Sequence, residues 1–311
     1  MNLHEIDKKL LNTTLDNQRI VAIGNFDGVH LAHQEILKNC ISISRDLGRE
    51  ILVVTFKPHP SCILRPDLGL KLITEYSYKK KLLESIGNVS VLTIPFTTEF
   101  SLMSAKDFIS EILVKTLNAS HIVSGYNFHF GHNKQGNSRM LHNISYDMRF
   151  KYLCINKIYR QYHEVSSSNI RKFLQCGAVN IVSDLLGRRY SVKGKVVKGR
   201  GTGTKLSFRT ANINLDEGII YPRYGVYQVN INVEGILYNG VANIGLRPSF
   251  NLDQSPILEV HIFDFDRSIY GADVVVEFLD FMRPERKFSS LSLLKDQILF
   301  DIRTAKGLFR L

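Results

Sequence analysis

Gly24-Asn25-Phe26-Asp27-Gly28-Val29-His30-Leu31-Ala32-His33 follows directly on the apolar run Arg19–Ile23 and leads directly into a helix-like stretch, Leu31–Leu47. The order is strand, tight loop, helix, with two histidines at the helix start. A helix N-terminus presents unpaired backbone N–H groups and the positive end of its dipole, and residues three apart share a face, so the arrangement suits a polyphosphate. The first expectation is a nucleotide enzyme.

Outward from this stretch, Ile36, Cys40, Ile43 and Leu47 recur at helical spacing, and residues 50–56 then read as a second strand. Strand, helix and strand in succession make a βαβ unit and hence a parallel sheet. Residues 89–94, 121–124 and 150–155 are further strand candidates, with a helix over 105–117. This half is expected to be a doubly wound α/β domain, in which ligands bind at the carboxyl ends of the strands, where Asn25 to His33 would sit.

Beyond about Leu186 the period changes. Residues 190–197, 225–233, 236–244, 258–265 and 274–281 are rich in β-branched and aromatic residues and are separated by Gly, Pro, Asn and Asp turns. They predict a small antiparallel β-barrel. Leu291, Leu294, Ile298, Ile302 and Ala305 then share one face of a closing helix, with Ser289 or Ser290 as N-cap. The expected domains are 1–184 and 185–311.

Composition bounds these expectations. With 311 residues, 44% of them hydrophobic, the chain can bury two cores. No apolar run approaches the roughly 20 residues that span a bilayer, and Met1-Asn2-Leu3-His4-Glu5 has no signal-peptide pattern, so a cytoplasmic protein without a membrane partner is expected. Cys40, Cys62, Cys154 and Cys176 are scattered, which argues against structural zinc or a disulfide framework and reads as small buried residues. A net charge of +11 admits a nucleic-acid-binding protein as a rival from another class, but the basic residues are dispersed and no recognition motif is present.

Further segments of the first half belong with the opening loop. Thr55-Phe56-Lys57-Pro58-His59-Pro60 closes the second strand, and Gly125-Tyr126-Asn127-Phe128-His129-Phe130-Gly131 follows another strand end. Val165-Ser166-Ser167-Ser168-Asn169-Ile170-Arg171 precedes a short helix ending near Gly177, and offers hydroxyls, backbone donors and a guanidinium as a second phosphate cradle. Each feature alone has a plainer explanation: histidines near a helix start are commonly without a ligand, a serine-rich loop is commonly a cap, and Asp27 can shape the turn through its side chain. Found together, in order, they favour a site. His59, His129 and His132 lack such support and read as loop residues.

On these residues the sequence resembles the bifunctional bacterial riboflavin kinase/FMN adenylyltransferase family, also called FAD synthetase. Gly24, Phe26, Asp27, Gly28, His30 and His33 match its G-x-F-D-G-x-H-x-G-H motif, with Ala32 in place of the last glycine, and Val165 to Arg171 match I-S-S-T-x-x-R, with Ser168 for threonine. The resemblance runs through the whole chain. It implies a nucleotidyltransferase-like domain that moves AMP from ATP to FMN and releases pyrophosphate. His30 and His33 would stabilise the triphosphate in the transition state. Gly24, Phe26, Asp27 and Gly28 would form the nucleotide loop, Arg171 with Ser166, Ser167 and Ser168 would hold the pyrophosphate, and Pro58 and Asn127 would lie on the flavin side.

In the second half Lys198-Gly199-Arg200-Gly201-Thr202-Gly203-Thr204-Lys205 is not a Walker motif, since Gly199 and Gly203 are too close. A basic glycine-rich loop can still wrap phosphates, or serve as a plain hairpin connection. Leu206-Ser207-Phe208-Arg209-Thr210-Ala211-Asn212 and Leu258-Glu259-Val260-His261 resemble the family's riboflavin kinase module, with Ser207 and Arg209 replacing a glycine and a proline. The resemblance implies that Gly199, Gly203 and Lys205 meet phosphate, that Thr210 and Asn212 serve Mg²⁺ and ATP, that Glu259 is the base for the ribityl hydroxyl, and that Arg283 touches flavin. Alternation alone instead places Glu259 as an ordinary charge on the outer face of a strand. The expected function is therefore phosphorylation of riboflavin to FMN and adenylylation of FMN to FAD, with ATP as co-substrate. A monofunctional FMN adenylyltransferase with an impaired kinase loop is the alternative. Oligomeric state is not legible.

Overall fold

The structure is a computed structural model that describes residues 18–199, 208–246 and 256–309. Gly203, Lys205 and Ser207 lie outside the described residues. The chain divides into two compact units, Met1–Ser167 and Ser168–Leu311.

The first unit is built on a parallel sheet of β1 (Arg19–Ile23), β2 (Ile51–Lys57), β3 (Ser90–Pro95), β4 (Ala119–Gly125) and β5 (Lys151–Ile155), in the order β3-β2-β1-β4-β5. β1 is central, and every one of its residues is buried, because a parallel sheet is covered on both faces. Ile20 and Ala22 face one layer with Leu37, Cys40 and Leu83, whereas Val21 and Ile23 face the other with Phe108, Ile109 and Ile112. Helix α1 (Leu31–Leu47) covers the first face together with α2 (Tyr76–Glu84). It stops where Gly48 adopts φ 64° and its N–H turns back to the Ser44 carbonyl. The helix expected over 105–117 is present, but Phe108–Thr116 winds as a π-helix. Leu117 N–H bonds back five residues to the Ile112 carbonyl, and this wider turn puts Phe108, Ile109, Ile112 and Leu113 on one buried face. A further helix, α3 (Ser138–Ile144), and a two-strand hairpin, β6 (Tyr159–Arg160) and β7 (His163–Glu164), complete the unit.

Helix α4 (Ser167–Cys176) leads into the second unit and is followed by α5 (Val179–Leu186). Arg223 N–H bonds to the Leu174 carbonyl at 2.8 Å, so both helices group with the strands that follow. Those strands are β8 (Tyr190–Val197), β9 (Ala211–Asn214), β10 (Gly225–Val233), β11 (Ile236–Leu246), β12 (Pro256–Ile262) and β13 (Asp273–Pro284), closed as an antiparallel barrel. Tyr190, Ile213, Tyr227, Leu258, Val260 and Phe278 fill it, fully or nearly fully buried. The closing helix α6 (Leu291–Leu308) starts at Ser290, whose Oγ accepts the Leu293 N–H at 3.2 Å. Ile302 and Ala305 press on Val226, Val241 and Phe263. Leu291, expected on that buried face, is exposed, because the contact begins only further along the helix. Cys176 is exposed too, against the expectation of small buried cysteines; Cys40 is buried, which pushes its thiol up to about 12.

Candidate active sites

The carboxyl edge of the parallel sheet carries the nucleotide-like loop. After β1, Phe26 at φ 51°, Gly28 at φ 88° and Val29 at φ 42° all take left-handed backbone conformations. For a β-branched residue that costs of order 1–3 kcal/mol, so the surroundings must hold Val29 in place. They do so by burial, by the Val29 N–H bond to the Phe26 carbonyl at 3.1 Å, and by Gln34 Nε2 donating to the Val29 carbonyl at 3.0 Å. The turn delivers His30 as the N-cap of α1, without a side-chain cap bond. One helical turn on, His33 stacks on it, with ring centroids 3.6 Å apart and planes within 15°, and Phe26 meets His33 edge-on at 5.1 Å. His30 is buried and His33 half-buried, so one ring of the pair lies within the protein and the other at its edge.

Asp27 is buried behind this loop. Its carboxylate accepts the backbone N–H groups of Ile73, at 3.0 Å, and Thr74, at 3.3 Å. Gly28 is packed on Ile73, whose side chain would lie 3.2 Å from any added Cβ. Asp27 thus shapes the loop, as an Asp in a turn commonly does. Ser167 of the serine motif donates its hydroxyl to the Asp27 carbonyl at 2.9 Å, which brings the first two expected motifs together. Ser166 is half-buried beside it in sequence, while Ser168 and Arg171 continue along α4 in the second unit.

On the expected flavin side, Pro58 and Asn127 are both exposed and stand just past the ends of β2 and β4. His59, expected as a plain loop residue, caps the short helix Pro60–Leu64: its Nδ1 accepts the Ser61 N–H at 3.2 Å. Beside Asn127, the Tyr126 hydroxyl hydrogen-bonds Glu164, and Lys157 pairs with the same carboxylate at 3.3 Å. Burial and then the Glu164 bond push the Tyr126 phenol up to about 12. Sequence inspection overlooked both Glu164 and Lys79; the latter sits in the run Lys79-Lys80-Lys81, which reads as a solvated face.

In the barrel, strand register sets Asn212 opposite Glu259 and Glu259 opposite Asn243. Leu258 and Val260 point inward, so Glu259 does lie on the outer face, as alternation predicts. It is not an isolated surface charge, because the flanking strands place carboxamides on either side. Asn212 is buried, and an added Cβ on Gly199 would fall 2.3 Å from its Nδ2. The backbone at Gly199 is therefore pressed onto the Asn212 side chain. Asn243 Nδ2 donates to Glu285 at 3.2 Å. Thr210 is half-buried at the start of this row. Arg209 turns away to donate to the Asp266 carbonyl at 2.6 Å, and its own carbonyl bonds His261 Nδ1 at 2.9 Å. Arg283 reaches the same outer row through Val226, and its guanidinium is engaged by Asp301.

Hydroxyl and carboxamide oxygens are hard donors that suit Mg²⁺ shared with phosphates, and Thr210 and Asn212 supply that set. Among the described residues no group of three or more His, Cys, Asp or Glu side chains forms a cage.

Comparison with known proteins divides the chain in the same way. A family model described as FAD synthetase matches residues 12–169, and one described as riboflavin kinase matches residues 186–309. The chain is 37% identical to the bifunctional riboflavin kinase/FMN adenylyltransferase of Bacillus subtilis, over 92% of its own length and 91% of the relative's. It is 32% identical to the enzyme of the same description from Escherichia coli K12, over 94% and 93%. A crystal structure from Streptococcus pneumoniae, described as a macrolide-efflux protein, superposes with a TM-score of 0.83 at 30% identity, covering 92% of this chain and 93% of that one. With both domains present in order and relatives matched over nearly their full length, the chain belongs to the bifunctional riboflavin kinase/FMN adenylyltransferase family.

Proposed function

We propose that the first unit adenylylates FMN around His30 and His33 and that the barrel phosphorylates riboflavin around Glu259, with Mg²⁺ accompanying ATP. The single observation that carries the reading is the stack of buried His30 on half-buried His33 at the start of the helix after β1, on the ligand-binding edge of a parallel sheet. The pneumococcal description names another activity, but both family matches and the curated relatives agree on flavin chemistry.

In adenylyl transfer an FMN phosphate oxygen forms a bond to the α-phosphorus of ATP while the bond from that phosphorus to the β-phosphate oxygen breaks, releasing pyrophosphate. No covalent nucleophile is needed; positioning and charge stabilisation suffice. His30 and His33 donate to the triphosphate, and the loop Gly24, Phe26, Asp27 and Gly28 holds them in register. Ser166, Ser167, Ser168 and Arg171 receive the pyrophosphate, with Pro58 and Asn127 beside the flavin.

In the barrel, Glu259 orients the ribityl hydroxyl and accepts its proton as the γ-phosphoryl group arrives and the β–γ bridge breaks to ADP. Thr210 and Asn212 would hold the metal, which would supply positive charge to neutralise the phosphates. Gly199, with Gly203 and Lys205, covers the phosphates, and Arg283, held by Asp301, fixes the flavin side of the row. The functional domains are taken as 1–184 and 185–311; the two family matches cover residues 12–169 and 186–309. A cytoplasmic setting accords with the reaction; among the described residues no helix is long and apolar enough to cross a membrane.

The test is to supply purified protein with Mg-ATP and either riboflavin or FMN and to separate the flavins over time. FAD from both, with FMN appearing first from riboflavin, is expected. FAD from FMN alone would leave only the adenylyltransferase.

A further inference from the structure

Behind the nucleotide loop lies a buried charge to which no role has been given. Lys79, in the first turn of α2, is buried, and its Nζ donates to the Asn25 carbonyl and the Thr55 hydroxyl, each at 3.0 Å. Thr55 in turn donates to the same Asn25 carbonyl at 3.0 Å. The remaining side of the ammonium faces the Tyr76 ring, 4.9 Å from its centroid.

The contacts are reciprocal. The loop sends the Asp27 carboxylate to the backbone N–H groups of Ile73 and Thr74, and the segment just beyond sends the Lys79 ammonium back to the loop's own carbonyl. Each side chain satisfies the other segment's backbone. Tyr76 extends the clamp, since its hydroxyl accepts the His59 N–H at 2.6 Å and so reaches the residue after Pro58. One buried cation therefore ties the loop that presents His30 to the loop on the flavin side. A buried charge is costly against an apolar residue of similar size, so its presence points to a gain in geometry rather than in stability.

Resting on the adenylyl-transfer reading, we propose that Lys79 is a positioning residue of that site: its ammonium fixes the Asn25 carbonyl against Thr55, which holds the turn through Gly28 and Val29 so that His30 and His33 face the triphosphate.

This role has a titration signature. Burial lowers the Lys79 pKa to about 8, and Asp27 opposes that shift. The groups facing the clamp are Asp27 from the loop, Thr55 and Lys57 from β2, Tyr76 from α2, and His59 and Cys62 beyond β2. As pH rises through about 8, the ammonium is lost and FAD formation falls. Stability moves the other way: a base with a lowered folded pKa penalises folding most below that pKa, and the penalty is relieved as pH climbs toward the ordinary lysine value. Activity that falls while the fold is not weakened is what a purely structural lysine would not produce.

The experiment uses the full chain and follows FMN-to-FAD conversion from pH 7 to 9.5, with riboflavin-to-FMN conversion on the same preparation as the internal control. Wild type is expected to lose FAD formation with an alkaline limb near pH 8, as burial of Lys79 sets it. K79M is expected to lower the FAD-forming kcat about tenfold or more while the kinase is unchanged, as misplacement of a positioned group does. T55V removes an acceptor for the charged form and should move the limb to lower pH, whereas T55S should restore it. A flat wild-type profile, a K79M enzyme within twofold of wild type, or a limb unmoved by T55V would overturn the proposal. Should K79M lose the thermal unfolding transition of the first unit, it has lost its fold there whatever the kinase does, and the T55V limb decides. If wild type makes no FAD, the adenylyl-transfer reading itself has failed, which is a separate outcome.

Discussion

Arg283 on β13 and Asp301 on α6 form a two-point ion pair, Nε to Oδ1 at 2.9 Å and Nη2 to Oδ2 at 2.6 Å. Gln297 donates to the same carboxylate at 2.9 Å, and Arg283 Nη1 donates to the Pro284 carbonyl at 3.1 Å. With side chains only 15% and 7% exposed, the pair is largely out of water. It pins the closing helix to the strand that ends beside the Asn212–Glu259–Asn243 row. D301A strands a guanidinium that has already lost most of its hydration, which costs about 3–5 kcal/mol in comparable buried pairs. A urea titration of D301A should show that loss in the barrel. A replacement of both partners by apolar residues of similar volume should recover much of it. A loss under about 1 kcal/mol in D301A would mean the pair behaves as a surface contact.

Strand register places Glu259 between Asn212 and Asn243, whose carboxamides flank it on the outer face of the barrel. E259Q keeps the shape and removes the base. FMN formation from riboflavin should fall about 10²–10⁴-fold, the span typical of removing a general base. FAD formation from supplied FMN should stay at the wild-type rate. Flavin chromatography on one preparation reads both, and equal FMN production by E259Q and wild type would remove Glu259 from the mechanism.

The sheet and most of the barrel were legible because their signals are local. β1, α1, β8 and β10 have the bounds that apolar periodicity and β-branched runs suggest. β9 was hidden: Ala211-Asn212-Ile213-Asn214 has two polar residues in four, and only its neighbours β8 and β12 make it a strand. The histidine pair was visible because three-residue spacing at a helix start is a one-dimensional fact. Lys79 was not, since one buried lysine among three in succession is distinguished only by Asn25 and Thr55, which come from far earlier in the chain.

Gly199 offers a test confined to the kinase. Its backbone leaves no room for a side chain beside Asn212, since a Cβ would approach Nδ2 to 2.3 Å and the side-chain carbon to 2.7 Å. Neither atom is the end of a long flexible chain, and Asn212 is buried on β9. G199A should therefore push Asn212 out of place while the barrel interior, formed by the opposite face, is untouched. A kinase loss of about tenfold or more is expected for such a misplacement, with normal FAD formation. Unimpaired FMN production would show that the Asn212 carboxamide is not needed where it stands.

The stack of His30 on His33 makes a prediction about additivity. The rings are 3.6 Å apart and the first is the N-cap of the helix that carries the second, so neither can be displaced without disturbing the other's surroundings. Loss of a preorganised donor to developing charge costs about 10²–10³-fold in comparable sites. H30A and H33A should each lower FAD formation by that order and leave riboflavin phosphorylation intact. Groups that act as a unit are not additive, so the double variant should be little worse than the more damaged single. If the two losses instead multiply, the histidines act on separate parts of the triphosphate, and the stack is only how the fold packs them between reactions.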